Sequence, residues 1–148
     1  MNESLSQQND NLPYRLAFYS TIALPFGPAG EKSIDDIIDV GWRRNGASGI
    51  TSVLYCDGAY FTQILEGARA DVEAVFRSIL RDDRHEDIVV TARGHVAHRD
   101  FPWQPMAFVT DADILATLGP GAMLPDTPER QVDHFASLMR QFLERRAG

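Results

Sequence analysis

The sequence predicts an α+β fold: a ferredoxin-like, five-stranded mixed sheet with two helices on one face and C-terminal helices packing on the other. Three observations carry this. Short β-prone runs and amphipathic stripes follow one another in the order β-α-β-β-α-β-β. Each of the two helical stripes is single, so each helix has one side to bury and both can lie on the same sheet. A last stripe near the C-terminus offers a cover for the sheet face that would otherwise stay wet.

Tyr14–Ile22 is short, largely apolar and β-prone, and reads as the first strand. A Pro/Gly-rich loop over 24–31 follows. Ser33 then offers an N-cap, with Asp36 three residues on as its capping-box partner. Ile34, Ile37, Ile38, Gly41 and Trp42 make the stripe of an amphipathic helix. Arg43 and Arg44 suit its C-terminal end, and Asn45-Gly46 is expected to stop it. Strands over 49–56 and 59–66 are joined by Asp57-Gly58, a pair that favours a tight hairpin. A second helix is expected from about Asp71, with Val72, Val75, Phe76, Ile79 and Leu80 as its stripe. It should close in the charged run Arg81-Asp82-Asp83-Arg84-His85. Residues 87–92 form a fourth strand and 106–110 the end of a fifth.

Beyond Thr110 a short helix is expected near 111–118, then a Gly/Pro loop, then a final helix capped by Thr127 with Pro128 at its first position. Val132, Phe135, Met139, Phe142 and Leu143 form that helix's apolar edge, which is expected to cover the second face of the sheet. The organisation is thus a disordered tail over 1–12, one domain over 13–110 and a helical extension over 111–148, with no attached effector domain.

Composition narrows the function. A net charge of −7 and a pI near 4.9 oppose nucleic-acid binding, though a local basic pocket could hold one phosphorylated cofactor. Cys56 is the single cysteine, which precludes an internal disulfide and fits a reducing, cytoplasmic setting. The polar start is not a signal peptide, and no run of about 18 apolar residues spans a membrane.

Gln63 stands out. In its strand Phe61, Gln63 and Leu65 point one way, and Tyr60, Thr62, Ile64 and Glu66 the other. A primary amide between two large apolar neighbours must find partners: backbone on the ordinary reading, a polar ligand edge on the sharper one. Phe18 and Tyr19 are adjacent in the first strand and so face opposite ways. Asn45, Arg84 and His85 have ordinary readings as helix-end residues. If the two helices run side by side, however, Arg44, Asn45, Arg84 and His85 could line one groove. His95 and His98 lack further ligands for zinc, and Asp111 and Asp113 lack the glycine and closing glutamate of a calcium loop. There is no GxGxxG and no Walker A motif, and Cys56 has no matching base.

Taken in order, several segments resemble the BLUF family of flavin-binding blue-light sensors. They are Arg15-Leu16 leading to Ser20, Asn45 followed by Thr51, and Asp57-Gly58 followed by Phe61-Thr62-Gln63-Ile64-Leu65-Glu66-Gly67. Arg81-Asp82-Asp83-Arg84-His85 and Phe101-Pro102 through Met106 complete the series, and together they span roughly residues 14–109. The resemblance implies FAD, with FMN or riboflavin as substitutes, between the two helices. Gln63 would bond the N5/O4 edge and change orientation or tautomer in light. Asn45 would bond the pyrimidine edge. Arg44, Asp82, Arg84 and His85 would support the ring, ribityl chain or phosphates, Phe18 would face the flavin, and Met106 would lie close to Gln63.

Three positions depart from the family pattern. Ser52 replaces a glycine, which is expected to be a mild change. Trp103 stands one residue before the usual tryptophan place, which Gln104 fills; in a regular strand Trp103 then points away from the flavin. Phe18 takes the place of the family's donor tyrosine, and Tyr19 could serve as donor only if the first strand is bulged. The leading expectation is a non-enzymatic photoreceptor, a homodimer or higher homo-oligomer signalling to a downstream protein. The alternatives are a flavin-bound or degenerate module without photochemistry and, further off, a small flavoenzyme.

Overall fold

The chain was analysed as a computed structural model that describes residues 11–25, 27–102, 104–119 and 128–147, with side chains of the last helix described over 137–146. Its elements are β1 (Tyr14–Ile22), α1 (Pro28–Ala47), β2 (Thr51–Cys56), β3 (Tyr60–Gly67), α2 (Arg69–Leu80), β4 (His85–His95), β5 (Ala107–Thr110), α3 (Asp111–Leu118) and α4 (Pro128–Ala147). The sheet order is β4-β1-β3-β2-β5. β1 lies antiparallel to β3 and β4, and β2 antiparallel to β3. The parallel pairing of β2 with β5 makes the sheet mixed.

The hairpin forms as its turn residues require. Asp57 Oδ1 accepts from the backbone N–H of Ala59 at 2.9 Å and of Tyr60 at 2.7 Å. Gly58 takes a φ of +92°, a conformation only glycine adopts without strain. Elsewhere the boundaries differ from expectation. α1 begins at Pro28, whose fixed φ and missing N–H suit a first helical turn. Ser33 therefore sits inside the helix and bonds back to the Ala29 carbonyl at 3.1 Å rather than capping it. At the other end Asn45-Gly46 does not stop α1, which runs on to Ala47 with Asn45 buried.

α2 ends at Leu80, before the charged run. Asp82 Oδ1 accepts from the backbone N–H of Arg84 at 3.0 Å, turning the chain, and His85 already pairs with Ile22 as the first residue of β4. Arg84 and His85 are thus a turn and a strand start rather than a helix end. β4 is also longer than expected and steps out of register with β1 between Ala17/Phe18 and between Tyr19/Thr21. The extra residues are on β4, where Asp87 has a φ of +52°.

Two packed layers flank the sheet. Leu16, Phe18 and Leu65 pack against Val72, Val75, Phe76 and Ile79 of α2. On the opposite face Ala17, Val53, Ile64, Ala107 and Val109 lie under Ile114 of α3 and Leu138, Met139, Phe142 and Leu143 of α4. The C-terminal helix therefore covers the second face as expected; Thr127 and the side chains of Val132 and Phe135 lie outside the described residues. Two stripe residues are not buried: Trp42 is 45% exposed and Leu80 51%. α1 buries only Gly30, Gly41 and Asn45, because it stands off the sheet instead of lying flush on it. Among the described residues no helix is long and apolar enough to cross a membrane.

Candidate functional site

The gap under α1 is an open cleft between α1, α2 and the sheet. The sheet forms its floor. Phe18 and Leu54 are the Cα partners of Gln63 on the two neighbouring strands, so all three side chains share one face. All three line the cleft, with Phe61 beside them. Ile37, Val40 and Gly41 of α1 form one wall and Ile79 of α2 contributes to the other. Met106, just before β5, projects against Gly41: a Cβ on that glycine would fall 2.4 Å from the Met106 methyl. The floor residues were legible from strand alternation; the α1 wall was not, since its stripe reads equally well as ordinary core.

Polar groups gather at the rim. Asp82 and Arg84 form an ion pair, with Arg84 Nε 2.8 Å from Oδ1 and Nη2 2.5 Å from Oδ2. The bonds from Arg84 hold the Asp82 carboxyl below its ordinary range. Among the described residues Arg44 has no such pair. Burial lowers its guanidinium from the usual value against the pull of Asp82, and Arg84 lowers it further. His85 is anchored at both ring nitrogens. Its Nε2 lies 2.8 Å from the Ile79 carbonyl, which can only accept, so Nε2 donates; Nδ1 meets the Ser20 hydroxyl at 2.6 Å. Ser20 carries no distinguishing signal beyond its place in the family-like segment.

The expected residues therefore converge. Phe18, Arg44, Gln63, Asp82, Arg84, His85 and Met106 all line the cleft. Asn45 is fully buried next to Arg44 rather than part of the lining. Its Nδ2 donates to the Pro105 carbonyl at 3.0 Å and to Ser52 Oγ at 3.2 Å. Ser52 is thus part of a buried hydrogen-bonded cluster. Tyr19 lies on the other face, edge-on to Tyr60 with ring centroids 6.3 Å apart. Because β1 keeps unbroken register with β3 and the bulges belong to β4, the condition under which Tyr19 would reach the cleft is not met. Gln104 is not part of the lining, and Trp103 lies outside the described residues. Cys56 is buried, and burial raises its thiol pKa, which disfavours a nucleophilic thiolate.

The cleft fits a flavin on one further observation. Among the described residues four buried side-chain atoms lack a hydrogen-bond partner: Arg44 Nε, Asn45 Oδ1, Gln63 Nε2 and Thr62 Oγ1. Thr62 belongs to the opposite face, as the Cα partner of Tyr19. The other three are residues from which the family resemblance expects flavin contacts. Buried polar atoms are rarely left unmatched; two on residues that line one apolar cleft, with a third on Asn45 next to Arg44, suit a ligand with a polar edge.

The family model for BLUF, sensors of blue-light using FAD, matches residues 14–107. The blue light- and temperature-regulated antirepressor BluF of Escherichia coli (strain K12) is 38% identical over 58 residues, 39% of this chain and 14% of that protein. The photoactivated adenylate cyclase subunit beta of Euglena longa is 26% identical over 135 residues, 91% of this chain and 15% of that one. The chain therefore spans a small part of the length of these curated relatives. Among solved structures, the dark state of the BLUF protein BlrB has a TM-score of 0.77 at 24% identity, covering 89% of this chain and 98% of that one. Klebsiella pneumoniae BlrP1 with FMN and cyclic diGMP has a TM-score of 0.60 at 28% identity, over 67% of this chain and 26% of that one. Sequence match, sheet topology and cleft agree, and the chain belongs to the BLUF family of blue-light flavin sensors.

Proposed function

We propose that the chain senses blue light with FAD held between α1 and α2, and that the Gln63 amide is the switch. The observation that carries this is Gln63 Nε2, buried without a partner in the floor of the cleft between Phe18 and Leu54. When bound, the flavin supplies blue-light absorption and a ring edge of hydrogen-bond acceptors. The amide of Gln63 can donate or accept, so one reorientation rewrites its bonding pattern without breaking a covalent bond and can reverse in darkness. Asn45 Oδ1 is available to accept from a ring N–H, and Arg44 is the rim cation left without an ion pair among the described residues. Asp82 and Arg84 hold each other and shape the rim.

The output is a protein contact rather than catalysis by this domain. α4 covers the sheet face opposite the cleft, and through it the floor strands reach a surface suited to a second copy or a downstream protein. The antirepressor and cyclase names of the curated relatives agree with such an output.

One observation supports a second reading, a flavin-bound module without photochemistry. Phe18 occupies the floor beside Gln63, and among the described residues no tyrosine lines the cleft. Absorbance of the purified protein before and after blue light separates the two. A yellow protein whose bands shift red and recover in darkness supports the switch. Yellow protein without a shift supports the second reading, and a colourless protein reconstituted with neither FAD nor FMN overturns both.

A further inference from the structure

We propose that Gly41 is a positioning residue for Met106: the missing side chain at this point of α1 is a seat that holds the Met106 thioether out of the volume a flavin would fill. This rests on the reading that FAD occupies the cleft; the seat itself is independent of it. Gly41 is buried well inside the 20-residue α1. Its backbone is ordinary helix, since the positive-φ glycines of the described residues lie elsewhere. Glycine weakens a helix interior relative to alanine, and here no turn requires it. The reason for it is space.

A Cβ at position 41 would fall onto the Met106 methyl and 3.0 Å from its sulfur. Gly46 of the same helix differs, because a Cβ there would meet Pro105 at 3.5 Å, an ordinary contact. Met106 is 3% exposed and packs in one cluster with Leu54, Cys56 and Phe61, with Ile37 of α1 against them. The empty space it borders is the cleft, which Met106 and Gly41 both line. A methionine side chain has three rotatable bonds, so a methyl group at position 41 would displace the thioether rather than break the helix. The displaced thioether would turn into the cleft.

That turn would bring it over the floor strands. Leu54 is the Cα partner of Gln63 on one side and of Phe108 on the other. Met106, two residues before Phe108, shares the face of both. Gly41 therefore acts through Met106: it offers no group to a ligand, and its lack of a side chain keeps a flexible one clear of the floor.

The test uses the full-length chain with Gly41→Ala, Met106→Ala and the double variant, each titrated with FAD in darkness by flavin fluorescence. Gly41→Ala should weaken binding by about tenfold, the effect of one overpacked methyl group. In the Met106→Ala background the same substitution should change affinity by less than about twofold, because the clashing atoms are gone. Equal losses in both backgrounds would overturn the proposal, since Gly41 would then act on the flavin or the helix directly. NMR of methyl-labelled methionine reads the seat without flavin; the Met106 signal is the one absent from Met106→Ala. It should move in Gly41→Ala, and an unmoved signal would overturn the seat. A wild-type protein that takes up no FAD would overturn the reading beneath, with the NMR still deciding the seat.

Discussion

Phe18 and Gln63 are direct Cα partners across β1 and β3, and both side chains line the cleft. Phe18 is buried and packs against Phe76 of α2, with ring centroids 5.5 Å apart. The position that the family gives to a tyrosine therefore holds an apolar ring against the switch amide. Tyr19, one residue on, is separated from it by the thickness of the sheet.

Phe18→Tyr should place a phenol beside Gln63 and create or strengthen a light-induced red shift. Tyr19→Phe should leave flavin content and any light response unchanged. Difference absorbance of the two variants checks both. Loss of an existing shift in Tyr19→Phe would show that the opposite face takes part.

Gln63→Leu should keep the flavin and abolish any shift, since the leucine fills the floor but can neither donate nor accept. It also removes a buried donor without a partner. In flavin-free protein the variant should be as stable as the parent or more so, by up to about 1–3 kcal/mol. Flavin absorbance and denaturant melts measure the two effects separately.

Glu66 was placed by alternation on the face away from Gln63, but its role is set by distant residues. It is fully buried and accepts from Arg15 Nη2 at 2.8 Å, from the Asp100 N–H at 3.0 Å and from the Phe101 N–H at 2.7 Å. Arg15 also pairs with Asp100, which Arg140 of α4 reaches at 3.4 Å. Glu66→Gln should cost about 2–4 kcal/mol in denaturant titration, because charge-assisted bonds are lost and an amide donor is set against backbone N–H groups. Arg43→Ala, which removes an exposed helix pair with Asp39, should change stability by less than about 0.5 kcal/mol.

The rim should lose stability in acid through Asp82. Arg84 lowers the folded pKa of this carboxyl below the ordinary aspartate value of 3.8. Its contribution is therefore complete above that value and is lost as pH falls through the lower folded one. Protonation would also remove an anion whose charge favours both the Arg44 and the Arg84 guanidinium. Denaturation midpoints should fall with pH below about 4 more steeply in the parent than in Asp82→Asn, which should be the less stable protein at neutral pH. Parallel acid profiles for the two proteins would refute this.

Local periodicity determined much of this protein. The two-residue repeat of β1 and β3 separated Phe18 and Gln63 from Tyr19 and Thr62, because successive strand side chains must alternate. The helical stripes placed α2 on the sheet and α4 on the opposite face, and Asp57-Gly58 defined the hairpin from its own turn chemistry. Tertiary structure alone decided whatever depended on residues far apart in the chain. A stripe that includes Trp42 cannot reveal that α1 stands off the sheet; the cleft arises from how the two helices and Met106 meet over it. Arg84 and His85 read as a helix end because nothing local announced that Asp82 would turn the chain and that His85 would join β1. The clusters of Ser52 with Asn45 and Pro105, and of Glu66 with Arg15 and Asp100, unite residues seven to 85 positions apart. Their polar groups are satisfied only by partners that folding brings within reach, a relation that no short window of sequence contains.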